Sequence, residues 1–206
     1  MTARPVYVYV TDTLADWELG HAIAHIAKPS WQRSPGRYAV RTVATTSDPV
    51  RTMAGVRIVA DTTFAEISPR SAAMLIMPGA ETWDDAARHA EATETASAFL
   101  EAGTPVAAIC GATYGLAAAG LLDDRAHTSN AAIYLTATGY GGAHLYRPEP
   151  AVSDRGLITA SGSYPVEFAV QIFRALDLYE PAVLEAWHGL YTTGEERHFA
   201  VLAAAG

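Results

Sequence analysis

Short apolar runs recur along this chain, each followed by a stretch with helical spacing, and that alternation dictates the architecture. Val6-Tyr7-Val8-Tyr9-Val10 is β-branched and aromatic. Ala72-Ala73-Met74-Leu75-Ile76-Met77 and Val106-Ala107-Ala108-Ile109 are apolar throughout, and Leu157-Ile158-Thr159-Ala160 nearly so. Such runs describe strands buried on both faces rather than strands with one wet face. Between them, Leu19, Ala22, Ile23 and Ile26 share one face of a helix that begins near Asp16. Further helices are expected over 84–102, 131–138 and 166–179, with another starting at Pro181. Residues 38–44 read as a second strand, 53–59 as a small hairpin turning at Gly55, and 139–155 as edge strands or a flap. No repeat or linker divides the chain. The expectation is an α/β fold in a single domain, 1–206, with a mostly parallel sheet sandwiched by helices.

Composition narrows the partners. The net charge of -8, with no Lys/Arg cluster, argues against nucleic acid. No apolar stretch is long enough to span a bilayer, and the start of the chain runs into a strand without a signal-peptide core. A single cysteine cannot form an internal disulfide, so a cytoplasmic location is expected. No Gly-rich phosphate signature follows the first strand, hence no nucleotide or other cofactor is expected. His21 and His25 have the i, i+4 spacing of metal ligands but no evident further ligand, so no metal site is assigned. The partner to expect is a small-molecule substrate.

That cysteine, Cys110, falls where the Val106–Ile109 run meets Gly111-Ala112-Thr113-Tyr114-Gly115. A thiol at such a strand-to-helix elbow is lifted clear of the sheet and faces the free N–H groups of the next helix. A depressed thiol pKa is the corresponding expectation.

Five segments in this order resemble the DJ-1/PfpI superfamily, within the flavodoxin-like, class I glutamine amidotransferase-like fold. They are Asp16-Trp17-Glu18-Leu19, Met77-Pro78-Gly79-Ala80, Ala108-Ile109-Cys110-Gly111-Ala112, Arg125 to Asn130, and Leu157 to Gly162 with Pro165 to Ala169. The resemblance is greatest to bacterial members labelled amidotransferase-like or intracellular protease. It implies that Cys110 is a nucleophile, that Glu18 is the acid beside it, and that Gly79, Ala80 and Gly111 supply oxyanion N–H groups, with Trp83 lining the pocket. It also implies a homodimer, an idea that the aromatic and histidine residues Trp17, His21 and His25 on the first helix support.

The chain departs from the better-known enzymes at the histidine. Gly111 follows the cysteine directly, and gap-free counting puts Asn130, not His127, where a later histidine would stand. Asn130 can orient a substrate or water but cannot act as a base; both residues remain candidates for the site. Tyr164-Pro165-Val166-Glu167 replaces the His-Pro-Glu of glutamine amidotransferases, so glutamine hydrolysis is not expected. Two functions fit: a cysteine-dependent enzyme acting on a carbonyl, acyl or nitrile-like carbon, or an oxidant sensor whose cysteine becomes a sulfinate.

Overall fold

The computed structural model describes residues 2–205. The strands are β1 (Arg4–Tyr9), β2 (Tyr38–Ala44), β3 (Val50–Arg51), β4 (Arg57–Ile58), β5 (Thr62–Thr63), β6 (Met74–Met77), β7 (Val106–Ile109), β8 (Ala151–Asp154) and β9 (Leu157–Ala160). The helices are α1 (Asp16–Ala27), α2 (Ala90–Glu101), α3 (Gly111–Ala118), α4 (Ala132–Thr136), α5 (Pro165–Ala175), α6 (Pro181–Thr193) and α7 (Glu196–Ala204). Seven strands form one sheet in the order β5-β2-β1-β6-β7-β9-β8, parallel except where β8 runs against β9.

Strand periodicity divides the core into two layers. Val6, Val8, Met74, Ile76, Ala107 and Ile109 face α1, α5 and α6, while Tyr7, Tyr9, Leu75, Met77, Val106 and Ala108 face α2 and α3. Both sets are buried, which is why β1, β6 and β7 read as unbroken apolar runs. Each large side chain sealed in this way contributes about 1.5–3 kcal/mol.

The chain steps outward from β1 to β2 and then returns to β6 on the other side of β1. The topological switch therefore lies between β1 and β6, and the loops at their carboxyl ends part there to leave a crevice. α1 leaves β1 at this end, Pro78–Ala80 leave β6, and Cys110 leaves β7. Topology thus gathers three of the expected site segments at one rim.

The hairpin is present, with Val50 opposite Ile58, Arg51 opposite Arg57 and Gly55 at φ 81° in its turn. Three helices are shorter than the spacing predicts, α4 only by its end residues (Ala132–Thr136 against 131–138). α2 begins at Ala90 rather than near 84, because residues 81–88 are drawn into turns. Asp85 N–H bonds the Thr82 carbonyl at 3.0 Å, and the ring of His89 is fixed between Tyr9 and Thr82 hydroxyls, 3.0 Å from each. α5 stops at Ala175 because Asp177 turns left-handed (φ 50°), so that Leu178 N–H closes on the Phe173 carbonyl at 3.0 Å. No helix among the described residues is long and apolar enough to cross a membrane.

Candidate active site

Cys110 has a left-handed backbone, φ 58° and ψ −122°, which a side-chain-bearing residue adopts only under constraint. The constraint is visible on both sides. Its N–H bonds the Ala160 carbonyl of β9 at 3.0 Å, and its carbonyl accepts from Thr113 N–H at 3.1 Å and Thr113 Oγ1 at 2.6 Å. Thr113 Oγ1 is itself held 2.7 Å from Ser129 Oγ. The elbow is thereby tied to the neighbouring strand, to its own helix and to the segment that carries Asn130.

Trp83 braces the elbow from behind. Its indole N–H bonds the Pro78 carbonyl at 2.9 Å, and its ring stacks on His89 with centroids 4.0 Å apart. A Cβ on Gly115 would lie 2.3 Å from this ring and one on Gly111 2.7 Å from it, so α3 can approach only because both positions are glycine. Trp83 therefore supports the elbow from the buried side and is not the pocket lining that the sequence suggested.

Glu18 is fully buried (0 % exposed). Its Oε2 accepts from Gly79 N–H at 2.6 Å, while Oε1, beside the Cys110 side chain, has no hydrogen-bond partner among the described residues. Gly79 and Gly162 flank the pair closely. A Cβ on Gly79 would fall 2.8 Å from Cys110 Cβ and 2.9 Å from both Glu18 oxygens, and one on Gly162 2.9 Å from Cys110 Sγ and Glu18 Oε1. The Gly79 assignment needs correcting: its N–H is spent on Glu18 and is not free for an oxyanion. Gly111 N–H is directed at the sulfur, and Ala80 N–H has no acceptor among the described residues.

Asn130 reaches the sulfur, its Nδ2 donating to Cys110 Sγ at 3.1 Å. Its Oδ1 accepts from Gly162 N–H at 2.9 Å, which fixes the orientation of the amide. His127 is not part of the cluster. It is fully buried (0 % exposed), with Nδ1 2.7 Å from the Arg125 carbonyl and Nε2 3.0 Å from the Tyr140 hydroxyl. The carbonyl can only accept, so Nδ1 carries the proton and Nε2 accepts from Tyr140. His127 anchors the segment that delivers Asn130, helped by Thr128 N–H on Thr159 Oγ1 at 2.9 Å.

The charge balance reverses the expected direction for the thiol. Burial first, and then the Glu18 carboxylate, push Cys110 up to about 11, against smaller downward effects from Asn130 and Gly111 N–H groups. Burial also pushes Glu18 up to about 7, with the Gly79 N–H and the neighbouring Cys110 thiol opposing it. Two acids share a dry site without a cation between them, so they titrate as a pair and hold one proton jointly above neutrality.

Three further residues belong to the site and were not singled out as functional by sequence reasoning. Gly162 touches both acids, donates to Asn130, and accepts from Trp17 Nε1 at 3.0 Å. Its signal was a glycine directly after the last buried strand, a mark of close approach. Thr113 locks the elbow. Tyr134, paired with Tyr114 at a centroid distance of 5.1 Å, lies close enough that the Cys110 charge, after burial, helps to raise its pKa to about 12. Elsewhere, His25 Nε2 accepts from Trp187 Nε1 at 3.2 Å and sits 3.0 Å from the Tyr191 hydroxyl, far from any set of three metal-ligating side chains, of which the described residues contain none.

A parallel α/β sheet with a strained cysteine elbow facing a buried glutamate at the switch point defines the class of protein. The DJ-1/PfpI family matches residues 4–175, and the chain belongs to that family. It is 37% identical over 202 residues to the uncharacterized protease YoaZ of Bacillus subtilis, covering 97% of this chain and 96% of that one. A second Bacillus subtilis relative, the uncharacterized protease YdeA, is 31% identical over 184 residues, 85% of each chain. Among solved structures, a thiJ/pfpI family protein from Bacillus anthracis superposes with a TM-score of 0.93 at 36% identity, covering 100% of this chain and 98% of that one. A DJ-1 superfamily protein from Agrobacterium tumefaciens gives 0.81 at 32% identity, covering 94% and 99%. Family and relatives are consistent with a hydrolase.

Proposed function

We propose that this protein is a cysteine-dependent enzyme that acts on a small electrophilic carbon (carbonyl, acyl or nitrile-like) through Cys110, with Glu18 handling the proton. The observation that carries this reading is the constrained backbone of Cys110, which holds the sulfur between the Glu18 carboxyl and the Asn130 amide. Strain of this kind is kept where geometry serves chemistry.

In the proposed step the shared proton rests on Glu18 while the sulfur attacks. An S–C bond forms and the carbonyl π pair moves to oxygen, which the Ala80 N–H, and the Gly111 N–H released from the sulfur as its charge is spent, would receive. Glu18 then returns the proton to the oxygen or to the leaving group. Asn130 steadies the sulfur throughout and exchanges no proton. Without an imidazole at the sulfur, Glu18 is the one proton carrier in contact with it.

The test is hydrolysis of 4-nitrophenyl acetate, in which 4-nitrophenolate leaves as the S-acetyl bond forms and water then cleaves that bond, by the purified protein and by two variants. Cys110→Ser should lose at least about a hundredfold, and Glu18→Gln a similar factor, because an amide cannot cycle protons. The oxidant-sensing reading draws on the same N–H donors, which would equally hold sulfinate oxygens. Peroxide titration followed by intact mass separates the two. Stoichiometric gain of two oxygens, retained in Glu18→Gln and without hydrolysis of the ester, would replace the enzyme reading.

A further inference from the structure

The surroundings of Cys110 are acidic and aromatic. Glu18 meets the sulfur with a carboxyl, while Asn130 and Gly111 meet it with neutral N–H groups. Among the described residues no arginine, lysine or histidine bonds to the sulfur, to the Glu18 carboxylate or to the Asn130 amide. Arg88 and Arg125, in segments that lead into the site, are committed to Asp12 and Asp124, each at 2.8 Å. Tyr134 is near enough to feel the Cys110 charge and pairs with Tyr114, their rings at 41°. Trp17 is 53% exposed, with its indole N–H anchored on the carbonyl of Gly162, where a Cβ would lie 2.9 Å from Sγ.

We infer that the Cys110 site selects uncharged electrophiles with an apolar or aromatic body and turns carboxylates away. This names the substrate class of the proposed function and rests on it for turnover. A carboxylate brought to this sulfur would shed water, gain no cation bonded there, and approach Glu18. A neutral carbonyl or acyl compound loses little on entry, and a planar group finds tyrosine or tryptophan faces to cover it.

The inference is tested by alkylating the full chain with iodoacetamide, iodoacetate and 2-iodo-N-phenylacetamide, following intact mass. In each case an S–C bond forms and iodide leaves. The same rates on 2-mercaptoethanol, at equal pH and ionic strength, divide out intrinsic reactivity. The iodoacetamide-to-iodoacetate ratio at Cys110 should exceed the reference ratio by at least about tenfold. The phenyl amide should gain about threefold over iodoacetamide on the same scale, and Tyr134→Leu should abolish that gain while keeping the charge ratio. A charge ratio within about twofold of the reference thiol overturns the inference. If the ratio stands while no 4-nitrophenyl acetate is hydrolysed, the enzyme reading fails alone. If 4-nitrophenyl acetate and the mono-4-nitrophenyl ester of succinic acid are hydrolysed equally well, selectivity fails alone.

Discussion

Replacing Gly162 by alanine adds one methyl group at the point where the two acids meet. That carbon would lie 2.9 Å from Cys110 Sγ and 2.9 Å from Glu18 Oε1. Neither neighbour can step aside freely: the Cys110 N–H is bonded to Ala160 at 3.0 Å and the Glu18 carboxylate to Gly79 at 2.6 Å. Overpacking of this kind costs about 1–3 kcal/mol. For a chain of this size about 2 kcal/mol lowers the melting midpoint by about 4–8 °C. The larger effect falls on chemistry, since displacing a reacting atom by about 1 Å costs on the order of a hundredfold in rate. Thermal denaturation and iodoacetamide alkylation of the same preparations measure both. Gly20→Ala is the control, because it lies exposed in α1 with nothing within 4 Å of a new Cβ. It should stabilise the protein by about 0.5–1 kcal/mol and leave alkylation unchanged. If Gly162→Ala alkylates at the wild-type rate with the wild-type pH midpoint, the contact between the two acids does not set the reactivity of the sulfur.

The pH dependence of stability has a definite sign. Glu18 is raised from 4.5 to about 7 by burial, so below 4.5 it is neutral in both states and costs nothing. As pH rises through about 7 the folded site must accept a charge that the unfolded chain hydrates better, and stability should fall by about 3 kcal/mol between pH 5 and 8. Urea unfolding across that range should show the loss, and Glu18→Gln should flatten it; a wild-type curve that rises instead would refute the assignment. Trp83→Ala should destabilise by about 3–5 kcal/mol and slow Cys110 alkylation, since α3 loses the ring that seats Gly111 and Gly115; a normal alkylation rate would confine Trp83 to the core. Association as a homodimer is expected from exposed Trp17, Tyr191 and Phe199, and sedimentation as a monomer at micromolar concentration would refute it.

The sheet was legible because β1, β6 and β7 are buried on both faces and carry no polar interruption. The elbow was legible because Cys110 sits between such a strand and a run of small residues. Asn130 could be counted to its place, but nothing in the chain order shows that its oxygen is claimed by Gly162 or that His127 turns toward Tyr140. Those orientations depend on partners brought in by other segments. The Gly79 amide looked free for the same reason, since the carboxylate that occupies it arrives on α1. The thiol misled most: a local rule about helix N-termini was outweighed by burial and by Glu18, both consequences of tertiary packing. The late start of α2 has a similar origin, as the binding of His89 by Tyr9 and Thr82 overrides local helix preference.

The carboxamide beside Cys110 has a consequence for metal chemistry. A thiolate next to an imidazole is half of a zinc site, and soft divalent ions bind such pairs readily. Asn130 presents an N–H to the sulfur and turns its oxygen away, where it accepts from Gly162 N–H and Ser161 Oγ, so it offers no lone pair on the sulfur side. Cys110 and Glu18 alone make a poor chelate, and micromolar zinc should leave alkylation of the thiol unchanged. By giving up the base, this elbow keeps its sulfur from being quenched by the metals that poison cysteine–histidine pairs.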